Sequence, residues 1–527
     1  MRFPIAFVLV IACAPKHGGG PSDATDASPD AFTGPYPDFP ASPIVDPSAP
    51  TNSGMLFGSA GTGSASGGPC MFEPEVGTLY PQNWLRPRFS WVATGTENLF
   101  EIDIVSANEV NPLVVYTAMT TWTMPADIWS ALASHIIEQP ITVTVRGATY
   151  DNTQMTLTSG PELGTSGAIQ IAAASAPGAI VYWTTSNGTG FRGFRIGDET
   201  VQTVAVPSDD GSATQCIGCH SSTPDGTFVA YSATDTAGNG DPAMLGLMTS
   251  DGLHQKPTFI SPSAATLMAR LDQEAPQFSR NHWQNGDHLA INMFPTDGVT
   301  SGGMFQIMWT NLEATSTAQG VGFGYVSRGG DAGYAASASF AHQSDTILYV
   351  SAPSVSSGIT VANGDLMTVP YNGGSGGAAS PIMGANTGSN EYYPTFSPDD
   401  KYVAYNLLPA GQSSYANAAA EVYVIPASGG TPVRLAANDP PTCTGKASPG
   451  VENSWPKWAP DATQANSKTY YWLTFSSTRG SASIPQLYVT PVVDDGTSLT
   501  TYPALYLWNQ PDDEHNHTPA WDNFQLQ

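Results

Sequence analysis

Short runs of alternating apolar and polar residues recur along most of the chain. In LYPQNWLRPRFSWVATGTENLFEIDIVSA, residues 79–107, the alternation runs around Trp91, Leu99, Phe100, Ile102 and Ile104, and PITVTVRGA at 140–148 repeats it. A period of two puts one set of side chains on one face of a sheet, and the Pro and Gly turns between runs keep the strands short. Residues 69–165 are therefore expected to form a small β-sandwich. PADIWSALASHIIE departs from the alternation and opens on a proline, which the first turn of a helix accepts, so it predicts one helical piece.

From residue 166 to 527 the strand pattern becomes a repeat. HSSTPDGTFVAYSA (220–233), APQFSRNHWQNGDHLAINM (275–293), ASFAHQSDTILYVSA (338–352), YPTFSPDDKYVAYNL (393–407), WPKWAPDATQANSKTYYWLTFSSTRG (455–480) and TPAWDNF (518–524) vary one theme. A bulky or small residue precedes a turn, and an apolar strand follows. Phe278, Phe340, Phe396, Trp458 and Trp521 recur about 56 to 63 residues apart, a spacing that fits a four-stranded propeller blade with long loops. One blade cannot bury both of its faces, whereas a closed ring of blades can. The stretches FSPDDKYVAY and WAPD…LTFSSTRG resemble the TolB-like six-bladed β-propeller repeat, with its P-x-[FW]-S-P-D-G turn and later F-S-S-x-R. The resemblance implies an all-β chain, a six-bladed propeller preceded by a sandwich of immunoglobulin or fibronectin III kind. GAIVYWTTSNGTGFRGFRI (178–196) enters its blade midway, so TPAWDNF at the other end of the chain is expected to supply the missing inner strand and protect the sheet edge.

Composition narrows the function. Among 527 residues, 44 acidic against 17 basic give a formal charge of −27, which leaves no basic stripe for nucleic acid and opposes electrostatic attraction to an anionic membrane. The first residues, MRFPIAFVLVIACAP, carry one arginine, an apolar run from Phe3 to Ala12 and then Cys13. The run is too short for a permanent membrane helix and reads as a secretory signal. VIAC resembles the lipobox of bacterial lipoproteins, which implies cleavage within 1–13 and lipid on Cys13. The expected contact with membrane is that anchor alone. Ala14, in place of an inner-membrane-retaining aspartate, leans toward an outer-membrane lipoprotein facing periplasm or cell surface. Residues 14–68 are rich in Pro, Ser, Ala and Asp, and are expected to form a disordered tether.

The chemistry concentrates in QCIGCH, residues 215–220. CxxCH is the signature of c-type haem attachment: Cys216 and Cys219 would form thioethers with one haem, and His220 would be the proximal iron ligand. A redox CxxC needs a helix N-terminus in a thioredoxin-like unit, a structural zinc needs more ligands, and a disulfide between 216 and 219 leaves His220 unexplained. The motif is expected in a loop just before the inner strand of blade two, at the channel mouth. Repeat register offers His517, with His515 close by, or Met268 as a sixth ligand. The remaining cysteines, Cys70 and Cys443, are available to bridge sandwich and propeller by a disulfide.

Two further features are read from spacing. Glu274, Glu391, Glu452 and Glu514 precede inner strands and could ring the channel with negative charge. DTAGNGD at 235–241 spaces oxygen ligands as calcium loops do but lacks the closing bidentate glutamate, so calcium is only weakly supported. The expected function is one-electron transfer by an exported mono-haem c-type cytochrome on a propeller scaffold, to a redox or envelope protein partner. Alternatives are a non-redox propeller that binds protein or peptide, and a haem peroxidase-like enzyme.

Overall fold

The computed structural model describes residues 34–60, 62–64, 67–186, 188–235, 244–269, 275–295, 305–356, 359–384, 388–480 and 482–527. Cys13, Glu274 and most of the 235–241 loop lie outside the described residues, as do 1–33 as a whole.

Two sheets form the N-terminal sandwich. One runs in the order Ile44–Val45, Leu113–Thr117, Leu99–Ser106, Ile141–Asp151, Thr156–Ile171 and Leu79–Tyr80; the other contains Cys70–Glu73, Arg88–Val92 and Thr121–Thr123. The alternating residues Ile102, Ile104, Val143 and Val145 are buried in one core with Phe89 and Trp91. The helix spans Ala126–His135 and buries Ile128, Trp129, Leu132 and Ala133.

The disordered tether expected over 14–68 is contradicted over the described part of that range. From residue 34 onward the chain packs on the sandwich: Ile44–Val45 pairs with the strand Leu113–Thr117, and Phe39 and Phe57 are buried. Polar anchors explain why this Pro-rich segment is ordered. Glu109 accepts the backbone N–H groups of Asp38 and Phe39 at 3.1 and 3.3 Å. Arg146, itself buried, binds Glu101 through two nitrogens at 2.7 Å each and donates to the carbonyls of Ser59 and Thr62 at 3.0 and 2.6 Å. Satisfying that buried guanidinium requires the segment to be in place.

Six blade sheets follow among the described residues, besides two small two-stranded ones, and the blades' inner strands are Asn516–Asp522, Cys216–Ser222, Gln277–Gln284, Tyr334–Phe340, Ser389–Phe396 and Ser454–Trp458, for blades one to six. Consecutive inner strands neighbour one another, and the sixth neighbours the first, so the ring is closed. The C-terminal strand Asn516–Asp522 pairs antiparallel with Ala179–Thr184 and completes blade one. Each inner strand contributes the same repeat position to a narrow central channel: Ala520, Ser221, Gln277, Ser339, Thr395 and Lys457. The fold is an all-β, six-bladed propeller behind a β-sandwich, and a disulfide between Cys70 and Cys443 ties the two units together.

Candidate functional site

The CxxCH motif lies on an inner strand and not in the loop before it. Cys216–Ser222 is the first strand of blade two, with Cys216 opposite Thr234 and Ser221 opposite Ala230. Its register slips between Gly218 and Ser221, where Cys219 has a φ of 46°. Such a bulge kinks the strand and re-aims a side chain. The same irregularity recurs around the ring: Ser337, Tyr393, Trp455 and Thr518 have φ of 49°, 49°, 59° and 44°. All five border one cavity of about 90 Å³ at one end of the channel. Blades thus send their bulge residues to a common mouth, and blade two sends a thiol. Tyr393 and Trp455 stack there with ring centroids 3.6 Å apart.

Blade one holds the motif in place. Trp183 Nε1 donates to Ile217 O at 2.7 Å, and Ile217 N donates to Thr189 Oγ1 at 3.0 Å. Gly218 lies against the same indole; a Cβ there would meet Trp183 Cζ2 at 3.1 Å. His220 Nε2 donates to Val181 O at 3.1 Å, and the imidazole leans on Phe191 with ring centroids 4.6 Å apart. Because a carbonyl can only accept, the proton belongs on Nε2. Nδ1 then carries a bare lone pair, buried and without a hydrogen-bond partner. Burial pushes the imidazole down to about 4, so it stays neutral at physiological pH.

Cys216 and Cys219 are both half-buried, and neither is in a disulfide. Two thiols and a neutral imidazole, oriented by a carbonyl on one nitrogen and bare on the other, have the donor chemistry of a covalently held haem iron; metal-ligating histidines have that second-shell partner. The channel itself is a different matter. The two cavities that His220 borders measure about 120 and 90 Å³, whereas a site for even a drug-sized molecule needs roughly 300 Å³ or more. The residue types are those of a haem attachment, but Cys216 borders neither channel cavity and the channel interior does not admit a macrocycle.

The other residues singled out from sequence fall as follows. His517 is half-buried on the strand of blade one beside the motif, its ring 4.7 Å from that of Trp183. Burial, His515 and His220 together push its imidazole down to about 4. Met268 does not overhang the motif: it is buried with Ala230, Leu247, Ala290 and Leu312 in an apolar cluster and lines neither channel cavity. The acidic ring does not form among the described residues. Glu514 is ion-paired to Arg192 at 2.8 Å, Glu391 is buried beside Ser389 Oγ at 2.6 Å, and neither they nor Glu452 line the channel cavities. The channel's charged lining is Arg280, Lys457 and Asp522 together with His342, and burial pushes the Asp522 carboxyl up to about 6. Among the described residues no three His, Cys, Asp or Glu side chains cluster as a metal site. Sequence reasoning missed Trp183, Thr189 and Val181, which hold the motif, because they precede it by a whole blade edge. The bulge ring was detectable in principle from the residue directly before the inner-strand Pro-x-[FW] of blades one, five and six, three positions ahead of the recurring aromatic.

No family model matches the chain, and no curated protein matches its sequence. Solved structures with a similar course of chain include an oligogalacturonate lyase in complex with manganese, 9% identical, covering 59% of this chain and 70% of that one with a TM-score of 0.32. An ancestral GH74 enzyme is 14% identical over 64% of this chain and 40% of its own, with a TM-score of 0.37. A prolyl endopeptidase is 11% identical over 63% and 48%, with a TM-score of 0.32. The chain spans less than half the length of the latter two, and the fold assignment rests on the strand order above.

Proposed function

We propose that the chain is an exported, lipid-anchored haem c protein built on a TolB-like propeller, with one haem held by Cys216, Cys219 and His220. The observation that carries the reading is the state of His220: neutral, oriented by Val181 O through one nitrogen and unpartnered at the other, directly after Cys219 and on the same strand as Cys216, neither cysteine being in a disulfide. When bound, the group supplies a one-electron couple. The chain's own residues do the rest. Val181 fixes the tautomer, Trp183 and Thr189 hold the strand, Phe191 supports the ring, and the burial of His220 suppresses its protonation in competition with metal. His517, beside the motif on the blade-one strand and within electrostatic reach of His220, would supply the second protein ligand to the iron. The partner is a redox protein of the cell envelope.

Absorption spectra of the full chain, made in a host with cytochrome c maturation, test this. The expected result is a low-spin spectrum with a reversible one-electron titration, altered by His517→Ala. High-spin iron that turns over peroxide would move the reading to a haem enzyme, and a folded product with no haem absorption would remove it.

A further inference from the structure

A cavity of about 440 Å³ lies away from the channel, between sandwich and propeller. Phe72, Glu75 and Arg88 come to it from the sandwich, and Lys446, Arg479 and Tyr488 from the propeller. Cys443, half of the interdomain disulfide, sits at its wall, so the cleft exists only when the two units are docked.

Arg479 is the informative group. It is 6% exposed, yet no carboxylate lies within ion-pair distance of it among the described residues. Its Nε donates to Ser477 Oγ at 3.1 Å, and its Nη2 donates to Ala437 O and Asn453 Oδ1 at 2.6 Å each. These are neutral acceptors that fix the guanidinium in place without cancelling its charge, and no hydrogen bond among the described residues uses Nη1. The guanidinium lies 4.8 Å from the centre of the Tyr488 ring. Lys446 repeats the situation: its Nζ donates to Thr478 O at 3.0 Å, Ser483 Oγ at 2.9 Å and Gly480 O, none of them a carboxylate. The nearby acids are mostly committed elsewhere. Glu73 binds Arg88 and Asp439 binds Arg434, both at 2.7 Å, and Asp512 is exposed at the rim. A cation taken out of water without a counter-ion is costly, and a pocket that keeps one is built to receive an anion.

We infer that this interdomain cleft binds a small monocarboxylate with an apolar body, its carboxylate taken by Nη1 of Arg479 beside the uncancelled charge of Lys446, and its body by Phe72, Tyr488 and Tyr506. Apolar walls with a few convergent polar groups are the usual make-up of such a site, and the free edge of a fixed guanidinium suits a carboxylate. Glu75 faces the same space. Burial pushes its carboxyl up to about 7, against the pull of Arg479 and with the push of Asp439. Below that pH it is neutral and leaves Arg479 to the ligand; above it the ionised carboxylate competes.

Calorimetric titration of the full, disulfide-intact chain tests the inference with phenylacetate and hexanoate, and with phenylacetamide and inorganic phosphate as controls. The expected result is saturable one-to-one binding of a carboxylate, at least tenfold weaker binding of the amide, and affinity several-fold higher at pH 6 than at pH 8. Glu75→Gln should flatten that pH dependence. Arg479→Gln should weaken binding at least tenfold; since it also supports two loops, Lys446→Gln and Phe72→Ala, on exposed or half-exposed positions, carry the test if it fails to fold, with a loss of threefold or more each. Carboxylates that do not saturate the folded protein, phosphate preferred over both, or affinity unmoved by Lys446→Gln and Phe72→Ala would overturn the inference.

Discussion

The inner strands of blades two and five can be laid over each other residue by residue. In both, a polar side chain closes the turn that follows: Thr223 Oγ1 donates to Asp225 Oδ1 at 2.7 Å, and Ser397 Oγ donates to Asp399 Oδ1 at 2.8 Å. In both, the strand after the turn returns a backbone N–H, from Phe228 and from Tyr402, to the same hydroxyl at 3.0 Å. Both bulge, at Cys219 and at Tyr393. The difference is what each bulge presents. Blade five offers Tyr393, buried, stacked on Trp455 and donating to Ile359 O at 3.0 Å. Blade two offers a half-buried thiol followed by an imidazole in place of Pro394. A repeat built for packing has been given a thiol and an imidazole at one of its five bulges without a change of backbone, so backbone and chemistry are separable here.

That separation can be broken or sharpened by substitution. The largest effect is expected at the bulges themselves. Tyr393→Ala should cost about 3 to 4 kcal/mol of unfolding free energy, as truncation of a buried aromatic does, whereas Cys219→Ala should cost less than about 1 kcal/mol. Equal losses in urea unfolding would mean that the thiol is a packing residue like its counterpart. The turn aspartates should behave alike. Asp399 accepts Tyr471 Oη at 2.7 Å as well as Ser397, and both Asp225 and Asp399 are held below the usual carboxylate range by their hydrogen bonds, although burial opposes it. Asp225→Ala and Asp399→Ala should each cost about 2 kcal/mol, and a much smaller loss in blade two would show that its turn is not equivalent.

Gly218→Ala probes the steric feature that lies inside the motif itself. Moving the Trp183 indole away from a new Cβ at 3.1 Å should cost about 1 kcal/mol. A Tm equal to that of the parent would mean that the glycine is incidental.

The smallest effect concerns blade one, where Asp522 occupies the place of Thr223 and Ser397. Its carboxyl is pushed up to about 6 by burial, so the folded state holds a proton that the unfolded state releases near 4. The linked stability is fully present below about 4 and is lost as pH rises through 6. Asp522→Asn should therefore raise Tm more at pH 7 than at pH 4. An equal change at both pH values would contradict the shift.

The propeller was legible because its signal is redundant: the spacing of Phe278, Phe340, Phe396, Trp458 and Trp521 survives the loss of any one turn motif. Closure by Asn516–Asp522 was legible for the same reason, since a strand without a blade and a blade without a strand imply each other. Residues 34–60 were not, because a few buried anchors, Phe39, Phe57 and the backbone carbonyls taken by Arg146, outweigh a composition that otherwise reads as tether. The motif's residues were visible and its placement was not. A bulge changes which side chains reach the channel, so counting back from Phe396 put Glu391 at the mouth when Tyr393 is there. Met268 failed for a related reason: loop position says nothing about which face of the short helix Pro262–Met268 is buried, and here it is the one carrying the sulfur.

The central claim is that Cys216 and Cys219 hold a haem covalently. The most direct test is a denaturing gel stained for haem, run on the full chain and on the Cys216→Ala/Cys219→Ala double variant, both produced with an active cytochrome c maturation system. A stained band in the parent that is lost in the double variant is the predicted result. An unstained parent, folded and made beside a control cytochrome that does stain, would contradict it.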